Sequence, residues 1–413
     1  MTPILAAEPE PTEQPVAPVG TPAGAEPERD EAEPQPTLTP EEQEALERSL
    51  GADQAAKPSA LDALGPVGGA IQSMNPDIAV VLDFAAAWFS GDGARGTGGH
   101  DPQRTGFNLQ QLEMSIGASV DPVFRFDANL VFAQYGVELE EAYGTTLGIP
   151  GGLQVRFGQM LTRFGRINST HPHAWSFVDQ PLVNGKMFGS EGSRGLGGEL
   201  SWLTPLPWYV ELVASASEAG GEATARSFFG GDDLGVSGPE DLLYTLALKQ
   251  FFPFDDDWSL AWGLSAQLGP NSTGNGNRTE IYGSDLYLRY YPVATQTRMS
   301  LSLTVEGMFR TRQVPDDVLQ DWGGYAQLVW GIDREWEVGA RAEVVSGREG
   351  DPLDPQWDGD RARYALEGTY YPSHFSRIRL QAAADVPAWL DEPVWSVALA
   401  VELVVGAHGS HAF

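Results

Sequence analysis

Two histidines separated by one residue, His171 and His173 in STHPHAWSF, are side chains whose type and spacing suit an ion. In an extended segment, residues two apart project to the same side, so both imidazoles can approach one centre. Zinc takes three or four ligands, with carboxylates complementing imidazole nitrogens, and Asp179 is the nearest candidate for a third. The competing reading is that the His-Pro-His stretch packs around Pro172 and Trp175. A second pair, His408 and His411 in the ending GAHGSHAF, would bind metal weakly. The chain has six histidines and no cysteine, which excludes thiolate metal sites, a cysteine nucleophile and a disulfide scaffold. His100 and His374 stand in no nucleophile pattern. GLGGE at 195–199 is followed by no helical pattern, and GDPLDPQWDGD at 350–360 does not have EF-hand spacing. An enzyme is not expected.

The elements that must position these groups are strands. Met299, Leu301, Leu303, Val305 and Phe309 alternate with Ser300, Ser302, Thr304, Glu306 and Arg310. Phe124, Phe126, Ala128, Leu130 and Phe132 alternate with Arg125, Asp127 and Asn129. Alternation sustained over about ten residues marks a strand with one apolar and one polar face. About sixteen such segments fit between residues 78 and 405. Their connections alternate in length: short ones such as VDP, PFDDD and PSHFS, long ones such as 91–106, 163–194, 311–320 and 347–360. The connection near Gly136 is the exception, being short where a long one is due.

This pattern predicts an all-β protein, a transmembrane antiparallel up-and-down β-barrel of about sixteen strands. Lipid cannot satisfy an unpaired strand edge, so the sheet must close. Aromatic residues crowd the short turns, as at Trp202 and Trp208, Phe251 to Phe254 with Trp258, Trp330 and Trp336, and Tyr370-Tyr371. Rings at one repeated height form an interfacial girdle. Sixteen strands leave room for an aqueous lumen. Strand parity turns Arg125, Asp127, Arg156, Glu306, Arg310, Arg341 and Glu343 toward it. The loop 163–194, rich in Trp175, Phe177, Met187 and Phe188, is expected to fold inward as the constriction and to bring Lys186 to the pore.

Composition separates residues 1–76 from the rest. They hold 13 of the 30 prolines, 14 acidic and 3 basic residues, and none of the 42 aromatics. Such a segment is expected to be a disordered periplasmic stretch, because it cannot bury enough apolar surface. A short helix near 40–50 is expected from Thr39-Pro40-Glu41-Glu42, and residues 1–7 read as a signal-peptide remnant. The formal charge of −32 argues against nucleic acid as a partner. Acidic long loops would raise cation concentration at the mouth, within a screening length of about 8 Å.

The stretches RFGRINSTHPHAWSFVDQPLVNGKMFGSEGSRGLGGELSW, DLLYTLALKQF, YGSDLYLRYYP, YPSHFSRIRLQ and VGAHGSHAF resemble a bacterial outer-membrane family labelled zinc-regulated TonB-dependent outer membrane receptors. A weaker resemblance, in architecture and the FGR-containing segment, is to phosphate-selective porins. The first resemblance implies zinc-linked uptake, with His171, His173, Asp179, His408 and His411 as the residues concerned.

The expectation is a porin-like channel in the bacterial outer membrane for diffusion of small solutes, favouring cations or zinc. Two alternatives stand beside it: a metal-binding receptor that hands zinc to a periplasmic partner, and a non-conducting structural barrel. No cofactor is required; zinc is the one candidate. The expected partners are outer-membrane lipid, small solutes or metal ions, the barrel-assembly machinery and, in a homotrimer, further copies of the chain.

Overall fold

The period-two segments become sixteen strands in a computed structural model that describes residues 76–406, apart from 94, 134–135, 221–225, 230–235, 275, 294–298 and 352. The expected tail, its helix near 40–50, the signal remnant at 1–7, and His408 and His411 lie outside the described residues. In chain order the strands are β1 Asp77–Phe89, β2 Gly106–Ser119, β3 Phe124–Ala133, β4 Gly136–Thr146 and β5 Leu153–Leu161. Next come β6 Arg194–Leu203, β7 Tyr209–Glu218, β8 Leu242–Pro253, β9 Trp258–Pro270, β10 Arg278–Tyr290 and β11 Ser300–Val314. The last are β12 Asp317–Gly331, β13 Trp336–Val345, β14 Arg361–Ser373, β15 Ser376–Pro387 and β16 Val394–Gly406. Each strand pairs antiparallel with its sequence neighbours, and β1 closes on β16 from Ala79↔Gly406 to Phe89↔Ser396. The barrel is therefore a single closed sheet with no free edge.

Alternation divides the wall into two faces. On β16, Trp395, Val397, Leu399, Leu403 and Val405 are exposed outward, while Ala398, Ala400, Glu402 and Val404 are buried inside. Aromatic pairs edge the outer face beside the short turns, with ring centroids 4.8 Å apart for Trp258–Tyr290 and 4.7 Å for Trp336–Tyr370. Three short turns share one device. Asp121, Asp255 and Asp333 each use Oδ1 to accept two backbone N–H groups, the second from the aromatic that opens the next strand: Phe124, Trp258 and Trp336. An aspartate that caps its own turn holds the hairpin tight and sets the girdle residue at a fixed height.

One expected connection differs. The stretch 311–320 is not a long loop: β11 and β12 run on through it and pair to Val314↔Asp317. Asp316, at φ 65, supplies the left-handed corner, a conformation Asp tolerates better than most residues. The short connection near Gly136 joins a genuine pair, registered from Phe124↔Thr146 to Ala133↔Gly136.

The segment between β5 and β6 runs inside the barrel. It contains two single 3₁₀ turns, Ile167–Ser169 and Pro172–Ala174, and one short helix, α1, Leu182–Met187. Every residue of α1 is buried. Leu182, Val183, Met187 and Phe188 pack against Phe164 of the same segment and against inward-facing Ile281, Met308, Val345 and the loop residue Trp357. An apolar core thus sits where a wide pore would otherwise run.

Candidate functional site

This inner segment divides the lumen. On the long-loop side is a cavity of about 390 Å³, lined by Asp92, Arg95, Thr97, Gly185, Ser190, Arg226, Trp357 and Arg361. On the short-turn side is another of about 310 Å³, lined by Arg166, Thr170, Asp179, Tyr287, Arg289, Gln327, Glu337 and Arg377. The segment contributes to both linings and forms the partition between them.

Charged groups on the wall fasten the partition. Asp179 meets Arg341 Nη2 at 2.5 Å and Arg363 Nη1 at 2.9 Å, and accepts from Gln381 Nε2 at 2.9 Å. Burial opposes its ionisation, but the two guanidinium groups prevail and hold its carboxyl down at about 2. Glu343 Oε2 accepts the Leu182 N–H at 2.6 Å, which caps the first turn of α1, and Glu343 Oε1 takes Arg341 and Arg363 at 2.8 Å each. Glu306 accepts the N–H groups of Arg166 and Ile167, at 3.0 and 3.2 Å. Arg377 and Arg379 donate to the carbonyls of Trp175 and Phe177 at 2.9 and 3.1 Å. Lys186 reaches the Ser346 carbonyl and lies 3.6 Å from Asp321. Further out, Arg310 binds Asp321 and Asp354, and Arg312 binds Asp351 at 2.5 Å.

These positions change the reading of the expected pore-lining set. Glu306, Arg310, Arg341 and Glu343 on the wall and Lys186 on the inner segment are each at most 3% exposed, because wall and partition meet at these side chains. Parity finds the inward face correctly, but does not reveal that a loop covers it. Arg125 and Asp127 pair at 2.7 Å and remain part-exposed on the short-turn side. Arg156 lies 3.3 Å from Glu199 and over the Tyr143 ring at 4.3 Å. The acidic stretch 350–360 is likewise partly neutralised, since Asp351 and Asp354 are buried against Arg312, Arg310 and Arg226.

The histidines occupy another part of the partition. The rings of His171 and His173 stack 5.6 Å apart, side by side as the two-residue spacing predicts. Asp179 is not with them, because its carboxylate is taken by Arg341 and Arg363. Three glutamates of the wall stand there instead. His173 Nδ1 is 2.9 Å from Glu113 Oε2. His171 Nε2 is 3.0 Å from Glu141 Oε2, and its Nδ1 is 3.4 Å from Glu140 Oε2 and 3.8 Å from Glu113 Oε1. Glu140 and Glu141 are adjacent in sequence, yet both are buried. The cause is a bulge: Asn129 pairs with Glu141 and Leu130 with Leu139, so Glu140 is an extra residue re-aimed into the lumen. A sequence reading by strict alternation misses it; the doublet in ELEEAY is the only trace.

A second cluster shares Glu140. His100, from the loop between β1 and β2, has Nε2 3.0 Å from Glu191 Oε2. Burial works against protonating His100, but the hydrogen bond and charge of Glu191 win and raise it to about 9. A hollow of about 20 Å³ lies among His100, Glu140, Asn168, Thr170 and Glu191. That is room for one water-sized species.

The closed sixteen-strand sheet, its apolar and aromatic-edged outer face and its inward-folded loop define a β-barrel of the bacterial outer membrane. No family model matches the chain. An uncharacterized protein of Aquifex aeolicus (strain VF5) is 31% identical over 382 residues, 82% of this chain and 80% of that protein. The chain belongs to the same family as that Aquifex protein. Among solved structures, the outer membrane channel DcaP of Acinetobacter baumannii is similar at TM-score 0.55 and 11% identity, over 80% of this chain and 97% of that one. The anion-selective porin from Comamonas acidovorans is similar at TM-score 0.52 and 11% identity, over 80% and 99% of the two chains. OprB of Pseudomonas putida is similar at TM-score 0.52 and 10% identity, over 83% and 97%. At these identities the likeness concerns the fold.

Proposed function

We propose that the protein is an outer-membrane channel for small polar solutes, with a mouth that favours cations and a conductance limited by the inner partition. The observation that carries this reading is the pair of polar cavities, about 390 and 310 Å³, on opposite sides of one inserted loop. A barrel built only as an anchor has no need of polar chambers at both ends. The likeness to porin-type barrels supports the channel. Transporters coupled through TonB are built on 22 strands around a plug, and sixteen strands fit that mechanism poorly.

The test is single-channel recording in planar bilayers, comparing the wild type with a variant in which residues 181–190 are replaced by a short Gly-Ser bridge. Small discrete steps for the wild type and several-fold larger ones for the variant are expected. Silence from both, with the barrels folded and inserted, rejects the channel in favour of a structural barrel.

A further inference from the structure

The two histidine–glutamate clusters have a geometry that fastening a loop does not require. We propose that Glu113, Glu140 and His171 form one site for a divalent transition-metal ion, that His100, Glu140 and Glu191 form a second, and that Glu140 is shared between them. In each trio the ligand atoms all lie within 4.8 Å of one another. An ion with bonds of about 2.0–2.2 Å spans at most about 4 Å between opposite ligands, so a small inward movement completes either set. The Nδ1–Oε contacts of His171 at 3.4 and 3.8 Å already lie within that span.

Partnering separates these groups from ordinary ion pairs. Glu140 Oε2 and His171 Nδ1 are buried and face each other at 3.4 Å, and neither atom has a well-aligned hydrogen bond. Such groups are costly to bury unless something engages them. The opposite edge of His171 is held, since Nε2 is bonded to Glu141 Oε2 at 3.0 Å. A carboxylate on one imidazole nitrogen leaves the lone pair of the other aimed at the ion, the usual support around a metal-bound histidine. Glu141 is itself fixed by the Leu161 N–H at 2.7 Å. The hollow beside His100, Glu140 and Glu191 gives the second site its space. Imidazole with carboxylate selects transition metals over calcium or magnesium, which prefer all-oxygen sets.

The sites string together along one side of the partition. Glu191 and His100 belong to the long-loop side, Glu140 is common to both trios, and His171 and Glu113 lie deeper. An ion can pass from one set to the next while keeping Glu140 as a ligand. Use of the sites for transit rests on the channel reading; binding itself does not.

The experiment takes the full chain in detergent, stripped with a chelator, and titrates Zn²⁺ by calorimetry and Mn²⁺ by electron paramagnetic resonance. Two ions per chain are expected, with no comparable Ca²⁺ binding. Glu140→Gln should weaken both sites by roughly tenfold or more, and His171→Ala and His100→Ala should each remove one. Retention of heat-modifiable gel mobility shows that each variant is folded, and Glu140→Gln is near-isosteric. Absence of binding, or two ions undiminished in Glu140→Gln, overturns the proposal and leaves plain ion pairs. Loss of only one ion in Glu140→Gln overturns the shared ligand. Because the titration is made without a bilayer, its failure is distinct from failure of conductance.

Discussion

Asp179 shows how far a residue's role is set by partners distant in sequence. Read along the chain it is the acidic group nearest two histidines; in the fold it is clamped by Arg341 and Arg363 on β13 and β14. Its folded value, about 2, lies below the ordinary 3.8. A carboxyl shifted down contributes stability that is complete above its ordinary value and is lost as pH falls through the folded one. Fastening of the loop by this group should therefore hold from about pH 8 down to about pH 4 and be lost progressively between about pH 4 and about pH 2. Asp179→Asn leaves the two guanidinium groups with Glu343 as their remaining carboxylate partner there, apart from the more distant Asp385, and removing one member of a buried pair costs about 3–5 kcal/mol. Hydrogen exchange across residues 163–194 should rise in that variant at neutral pH while exchange in the strands stays slow. Equal protection in both proteins would mean the clamp is not what holds the loop. The stacked pair His171 and His173 was legible because spacing is local, whereas Glu113, Glu140 and Glu191 come together only through the closed sheet.

The strands themselves were the most legible feature, since period-two alternation is imposed by having lipid on one face and the lumen on the other. Loop 311–320 was misread because its polar residues also suit strand ends that rise above the membrane. The seam between β4 and β5 was not legible at all. It has four registered pairs, Ala142↔Gln159 to Thr145↔Arg156, where β1 and β16 have eleven. Gly158 sits in it at φ +131, and a Cβ there would lie 2.3 Å from the Ala142 carbonyl oxygen. Any side chain meets both a backbone conformation that L residues rarely adopt and a collision with backbone. Gly158→Val should destabilise the barrel by about 1–3 kcal/mol. The temperature at which gel mobility shifts on heating should fall, and an unchanged temperature would show that the seam is already open.

At the scale of the whole molecule, the question is where selectivity arises. The formal charge of −32 suggests a field acting everywhere, but the fold spends much of it locally. Inside, carboxylates such as Asp83, Asp179, Asp321 and Glu402 are matched by arginines at short range and project little field. Among the described residues, exposed acidic groups stand on the long-loop rim, as Glu349, Asp358, Asp360, Asp391 and Glu392 do, and also in the short turns, as Asp121, Asp255 and Asp256 do. A rim field is screened by salt, over about 10 Å at about 0.1 M and about 3 Å at about 1 M, while matched pairs within the lumen are screened much less. Cation preference from the mouth should therefore be clear at low salt and nearly vanish at high salt. Reversal potentials recorded across a fixed concentration ratio at increasing mean salt measure this directly. A preference that survives at about 1 M must come from the partition, and the part-exposed pairs of β3 and β5 and the glutamates around His171 would then set the sign of the current.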